Sequence, residues 1–446
     1  MNIKQKLYEL CSKFYVIEQH IKQTKYNFPK MYFRYIQIAI TLTLIDIYFF
    51  NAIKTVSKNR TAKQMMWIRI AYFSTTVMSI ALILSGIFLP FNQMPKWIQV
   101  NFTSFIFVLM VAKIFGILVL LADDITRGLK KIVLKLTPDE KKFNNPDIQK
   151  IPRSEFLSKA AIITAFIPFS GMLYGMLKGA FDYTIHKTKV KIKNLPSGLE
   201  GLKIVQISDL HTGSFTSTEP LKKAVDIING LNADIVLFTG DLVNNYSEEA
   251  LMHINTLKEV KAKYGVYSVL GNHDYGDYVK WSSPEKKQEN FDSMLSIHKE
   301  IGWKLLRNEK STLNINGADL DILGVENWGR SLNFPKYGDL KKTIADSTAN
   351  VRILMSHDPS HWEAEVLNSE KPIDLTLSGH THGMQFGIEI PGFKWSPVQY
   401  VYKQWAGLYQ NDKRNYLYVN RGLGFIGYAG RVGINPEISL LELEKA

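Results

Sequence analysis

The 446-residue sequence has one cysteine, Cys11, which excludes an intrachain disulfide framework and any CxxC zinc or redox site. With 29 glycines, 16 prolines and 46% hydrophobic residues it is not collagen-like, low-complexity or disordered. Its first part is poor in acid. Residues 1–195 hold 28 Lys/Arg against 10 Asp/Glu, and residues 196–446 hold 26 against 31, so the overall +13 averages two unlike halves. The basic excess lies between long apolar runs and not on a folded patch with helical or aromatic readers, which argues against nucleic acid as a partner.

Four runs in the first half approach the roughly 20 apolar residues that a bilayer crossing needs. They are Phe33 to Ile53, Ile70 to Pro95, Trp97 to Ala122 and Ala160 to Leu177. The second has no charge; the first holds Asp46 and the third Lys113. Those two either pair with each other or line a small-solute or proton path. Trp67, Trp97, Tyr32 and Tyr35 sit near the ends of the runs, where amphipathic rings favour the headgroup zone. Gly171, Gly175 and Gly179 form a small-residue stripe that lets another helix come close, and Pro168 is placed to kink the fourth helix. A membrane domain of about four helices over 1–180 and a soluble domain over 181–446 are therefore expected. In Ile185 to Lys193, lysines 187, 189, 191 and 193 share one face of a strand, solvated or set against anionic headgroups.

In the soluble half, short apolar runs end repeatedly in polar residues able to bind metal. The run 203–207 ends at Asp209 and His211, and 235–238 at Gly240-Asp241. The run 266–270 ends at Gly271-Asn272-His273-Asp274, 351–355 at His357, and 373–377 at Gly379-His380-Thr381-His382. Strand ends are where α/β folds build sites. Asp209 and His211, two apart on an extended strand end, are expected to point the same way, as are His380 and His382. Oxygen and imidazole donors without thiolate suit Mn, Fe or Zn, and several carboxylates admit more than one ion.

These five blocks, in this order and spacing, resemble the signature of the calcineurin-like metallophosphoesterases. Arg421-Gly422-Leu423-Gly424 and Pro436-Glu437-Ile438 are similar to the branch with membrane-tethered or exported bacterial members. The resemblance implies an α/β fold of two mixed sheets sandwiched by helices, here preceded by an α-helical transmembrane bundle. It implies that Asp209, His211 and His382 hold one divalent ion, Asn272, His357 and His380 a second, and that Asp241 bridges both. It further implies that a hydroxide between the ions attacks phosphorus in line. His273 would steady phosphoryl oxygens or protonate the leaving oxygen, with Asp274 orienting its ring. Asn244 stands where many relatives have a second Asp; it and Asn245 are expected to hydrogen-bond around the bridging carboxylate. Among the other histidines, His361 is the one that could border the site.

The expected function is a membrane-anchored, metal-dependent hydrolase of a phosphomonoester, phosphodiester or lipid pyrophosphate. Its partners would be the membrane and a phosphorylated small-molecule or lipid substrate. The competing classes are a membrane sensor or scaffold that binds a phosphorylated ligand without turnover, and a transporter regulated by the soluble half. Lys/Arg counts tie at 13 on the two sides of the membrane. Because the strand lysines belong to a folded domain and most tail lysines lie far from the membrane, 181–446 is expected outside the cytoplasm and loop 123–159 inside. Arg153 to Lys159 resembles a twin-arginine export signal, with one arginine only.

Overall fold

The structure, a computed structural model, describes residues 33, 35–86, 93–136, 153–330, 334–412 and 415–446; Cys11, Tyr32 and the 137–152 part of the basic loop lie outside them. Two compact units result, Met1–Ser170 and Gly171–Ala446. The division falls inside the fourth apolar helix.

Among the described residues, four helices are long and apolar enough to cross a membrane: Tyr35–Val56 (α1), Ala62–Ser85 (α2), Ile98–Leu129 and Glu155–Phe181. The third opens with a π turn at Ile98–Phe102 and continues as Thr103–Leu136 (α3); the fourth is built on Arg153–Leu177 (α4), with Pro168 inside it. α2 starts well before its uncharged run. The Thr61 hydroxyl accepts the Gln64 N–H and the Gln64 side chain accepts the Thr61 N–H, a capping box that fixes the helix start regardless of hydropathy. In this unit Asp46 is buried and pairs with Lys113; Thr76 donates to its carboxylate, and the Tyr72 hydroxyl lies 3.0 Å from its backbone carbonyl. A carboxylate in hydrocarbon demands such partners. At Gly116 a Cβ would stand 2.3 Å from Phe49 and 2.8 Å from the Ala161 carbonyl, so its smallness lets α1, α3 and α4 meet.

The second unit contains fourteen described strands. They are β1 (Thr184–Ile192), β2 (Lys203–Ile207), β3 (Ile235–Phe238), β4 (Val266–Ser268), β5 (Lys304–Leu305), β6 (Glu309–Ile315) and β7 (Ala318–Gly324), followed by β8 (Val351–Met355), β9 (Leu375–Ser378), β10 (Ile388–Ile390), β11 (Phe393–Trp395), β12 (Gly407–Gln410), β13 (Tyr416–Val419) and β14 (Glu437–Lys445). Two six-stranded mixed sheets, ordered β1-β14-β2-β3-β4-β5 and β12-β13-β9-β8-β7-β6, carry all but the separate β10–β11 hairpin.

Alternation within the strands explains the layers. Ile204, Ile235 and Leu237 face a core shared with Ile322, Ile353 and Leu377 of the other sheet. Their neighbours Val205, Val236 and Phe238 turn outward under the helices Glu219–Gly230 (α5) and Pro284–Ile301, packing on Leu221 and Ile297. Leu323 and Leu354 do the same on the second sheet, against Leu340 and Trp362. Strands buried on both faces read as continuous apolar runs, as these do. The result is the expected sandwich of two mixed sheets between helices. On β1, Lys187, Lys189 and Lys191 are exposed while Val190 and Ile192 are buried, and Lys189 pairs with Glu444 of β14.

The glycine stripe behaves differently from expectation. A Cβ on Gly171 would meet nothing, whereas one on Gly175 would lie 2.7 Å, and one on Gly179 2.1 Å, from the Arg431 carbonyl. Gly175 and Gly179 instead accommodate the loop 428–432 of the second unit.

His298 is buried, with Nδ1 3.0 Å from the Ser268 hydroxyl, and burial lowers its pKa to about 4. The unfolded chain therefore takes up a proton below pH 6.5 that the folded chain refuses until about 4, so stability falls through that window. Between pH 7 and 5 this group alone should remove about 2 kcal/mol. Denaturant unfolding followed by tryptophan fluorescence should show a shallower pH dependence in His298→Gln.

Candidate metal centre

The residues at the strand ends converge on one edge of the sandwich. His211 Nε2 lies 3.0 Å from His382 Nε2, and His382 Nε2 3.2 Å from Asp209 Oδ1. Beside them, His357 Nε2 is 3.1 Å from Asp241 Oδ2 and 3.3 Å from His380 Nδ1, which in turn is 2.8 Å from Asn272 Oδ1. Two donor groups result, Asp209–His211–His382 and Asp241–His357–His380. Asp241 Oδ2 also lies 3.6 Å from His211 Nε2, so this carboxylate faces both groups.

Backbone geometry, not extended alternation, produces the convergence. Asp209, His211, Asp241, His380 and His382 all have positive φ, between 48° and 70°. The expectation that strand pleating aligns Asp209 with His211, and His380 with His382, is therefore corrected: each pair sits in left-handed turns just past the strand. Such conformations are costly for side chains with a Cβ and persist where the surroundings over-determine them. The glycines of the motifs give these turns room. A Cβ on Gly379 would stand 2.2 Å from Asp209 Oδ2, and one on Gly271 2.2 Å from Asp241 Oδ1.

The surrounding groups orient the rings. His211 Nδ1 is held at 3.2 Å by the Val243 carbonyl and His357 Nδ1 at 2.8 Å by the Thr239 carbonyl, so each carries its proton there and turns Nε2 inward. Burial lowers the His211 pKa to about 3, keeping its imidazole neutral. Burial also opposes charge on His357, yet Asp241 and Asp209 raise it to about 10. Two buried carboxylates thus draw positive charge to the centre, and a set of imidazole, amide and carboxylate donors fits divalent ions, which would take the place of that charge.

Asp274 does not orient His273. Its carboxylate accepts the backbone N–H groups of Asp241 (2.9 Å), Leu242 (2.8 Å), Val243 (3.2 Å) and Gly271 (2.9 Å), clamping two metal loops together. The His273 ring instead donates from Nδ1 to the Asn244 carbonyl at 2.6 Å. Nor do Asn244 and Asn245 bond around Asp241: their N–H groups go to Glu249 Oε2, and the Asn244 amide to Ser214. Sequence reasoning missed Glu249 because its signal, an acidic residue opening a helix, is common. It missed Tyr402, whose hydroxyl lies 2.9 Å from His380 Nε2, and Arg431, wholly buried 3.4 Å from His382 Nδ1, because neither is near a ligand in sequence. His361 is buried and stacked on Trp328, bonded to Ser356 and Glu365, and is structural. Arg421 pairs with Glu437 and with Glu389, each at 2.5 Å, fastening β14 and the β10 strand.

Removing the Asp274 clamp should lower stability and bound metal together although no proposed ligand is lost. Asp274→Ala strands several buried N–H groups at about 1–3 kcal/mol each, which thermal melts and metal analysis would register as a joint loss.

Two families match the chain. The one described as "Calcineurin-like phosphoesterase" covers residues 202–384, and "Probable Calcineurin-like phosphoesterase, transmembrane domain" covers 33–180. The chain is 30% identical over 309 residues to the "Uncharacterized metallophosphoesterase YkuE" of Bacillus subtilis, covering 67% of this chain and 99% of that one. It is 30% identical over 294 residues to the "Transmembrane protein with metallophosphoesterase domain" of Danio rerio, covering 64% of this chain and 62% of that one. It is 31% identical over 284 residues to the "UDP-2,3-diacylglucosamine pyrophosphatase LpxG" of Chlamydia trachomatis, covering 52% and 81%. The protein is thus a metal-dependent hydrolase of the calcineurin-like metallophosphoesterases, whose catalytic domain follows a four-helix transmembrane domain.

Proposed function

We propose that this chain is a membrane-anchored two-metal hydrolase of phosphate esters or pyrophosphates carried by lipids. The observation that carries the two-metal reading is the position of Asp241, within 3.1 Å of His357 and 3.6 Å of His211, between the two donor groups. Asp209, His211 and His382 would hold one ion, Asn272, His357 and His380 the other, and Asp241 both. Bound divalent ions, Mn, Fe or Zn by the donor set, would supply an activated water and draw charge from the phosphoryl group. The chain's own residues do the rest. Most of the centre is buried, and His273 and His380 are only partly so, which puts the substrate's approach beside them. His273, fixed at Nδ1 by the Asn244 carbonyl, has Nε2 left to hold a phosphoryl oxygen or to hand a proton to the leaving oxygen.

Support for a lipid substrate is twofold. Four apolar helices hold the catalytic domain at a bilayer, which raises the local concentration of lipid-borne phosphates. LpxG, named as a pyrophosphatase of a diacylated sugar nucleotide, is a relative. We further propose that 181–446 lies outside the cytoplasm, because the loop 123–159 carries 9 Lys/Arg.

Asp241→Asn should cut turnover by orders of magnitude and reduce bound metal in a screen of the detergent-solubilised protein with Mn, Mg, Fe and Zn varied. Full activity with normal metal content would sink the two-ion assignment. His273→Ala should keep its metal but lose about 10²–10⁴ in turnover, less for substrates with good leaving groups. Loss of metal there would make His273 a ligand; binding of a phosphorylated ligand by the unaltered protein without turnover would favour a sensor. With cysteine at the exposed Glu248, or at Asn144, in a Cys11→Ser background, an impermeant thiol reagent should label intact cells at 248 and not at 144.

A further inference from the structure

The β10–β11 hairpin is amphipathic in the sense opposite to that of a water-exposed hairpin. Its cross-strand pairs are Ile388 with Trp395, Glu389 with Lys394, and Ile390 with Phe393. Side chains alternate between faces, so the one charged pair shares a face and the four apolar residues share the other. The charged face is turned toward the protein: Glu389 pairs with Arg421 at 2.5 Å, and Lys394, itself exposed, bonds through its ammonium to the Ala406 carbonyl and lies over the Trp405 and Tyr409 rings; on the apolar face Trp395 is half-buried. The apolar face is the outer one, with Ile388, Ile390 and Phe393 49%, 58% and 53% exposed. Tyr400 and Val401 extend this surface at 78% and 73%, next to the exposed Lys403. A contiguous apolar surface of this kind marks an interaction site.

The attachments of the hairpin identify what covers it. Just before β10, Gly387 donates to the Val432 carbonyl at 2.9 Å and Val432 donates to the Gln385 carbonyl at 2.8 Å. The same loop donates from the Arg431 N–H to the Gly175 carbonyl and packs tightly on Gly179, in the closing turns of the fourth membrane-crossing segment, which ends beside the exposed Lys178. One hydrogen-bonded layer thus joins the hairpin to the C-terminal end of that apolar helix. Aromatic and aliphatic side chains flanked by lysine, at that level, suit the headgroup–acyl boundary. The surface also adjoins the metal centre, because Tyr400-Val401 lead into Tyr402, whose hydroxyl reaches His380.

We propose that the β10–β11 hairpin and the Tyr400-Val401 turn are a second membrane contact, seated in the interfacial layer of the lipid bilayer, which holds the mouth of the metal centre at the level of lipid headgroups. The consequence for substrate rests on the hydrolase reading above; the membrane contact does not.

The test uses the full chain, Cys11→Ser, reconstituted into phosphatidylcholine–phosphatidylglycerol vesicles with an environment-sensitive fluorophore on Phe393→Cys or Ile390→Cys. The fluorophore should emit to the blue of its aqueous position and be quenched by lipids spin-labelled near the headgroup. The same fluorophore on Glu309→Cys, in β6 at the sheet edge opposite β12, should stay aqueous and unquenched. Aqueous, unquenched emission at 390 and 393 would overturn the proposal, as would disulfide cross-linking of two copies through position 393. A second measurement compares Ile390→Ser/Phe393→Ser with the unaltered chain on two substrates. The rate on a vesicle-borne phospholipid phosphate should fall about tenfold more than that on soluble bis-p-nitrophenyl phosphate, and equal losses would count against the docking role. If neither substrate is turned over by the unaltered chain, the hydrolase reading fails while the quenching result still decides the membrane contact.

Discussion

Burying two carboxylates at the edge of a sandwich, with imidazoles packed around them, is the constraint on which the rest of this molecule depends. Asp209 and Asp241 are wholly buried, and charge that deep is tolerated only beside opposite charge. His357 reports the demand by holding a proton far above the usual imidazole range. Five left-handed residues, motif glycines with no room for a Cβ, and the Asp274 clamp on four backbone N–H groups all serve to keep these donors together. A centre braced in this way resists collapse and relaxation alike, as preorganised sites must.

The C-terminal segment connects that centre with the membrane anchor. Arg431 donates through its guanidinium to the carbonyls of Gly422 and Gly424 and stands beside His382, while its backbone N–H bonds to Gly175. Arg421 ties Glu437, at the start of β14, to Glu389 in the hairpin. Residues remote in sequence thereby fix the edge of the site that carries His382. The anchor's glycine stripe, which in isolation reads as a helix-packing motif, serves this contact.

In the membrane unit the same rule about buried charge operates with fewer participants. Asp46 has Lys113, Thr76 and Tyr72 around it, so the single acid within the first apolar run has its partners supplied by two other helices. Elsewhere short ion pairs such as Lys58–Glu155 lie nearer solvent and contribute little.

Much of this was legible in the chain itself. Apolar runs located the four crossing helices, doubly buried strands read as continuous apolar segments, and motif spacing singled out every residue that now lies in the two donor groups. Those are signals of composition and local order, and each is carried by neighbours in sequence. What the tertiary structure alone decided was contact between distant segments: that Asp274 clamps backbone while Asn244 orients His273, that Arg431 and Tyr402 stand behind the ligands, and that the glycine stripe receives a loop. It also decided the sense of the β10–β11 hairpin. An alternating Ile-Glu-Ile strand has the same pattern whichever face is inward, and only the long-range pairing of Glu389 with Arg421 turns its apolar side outward.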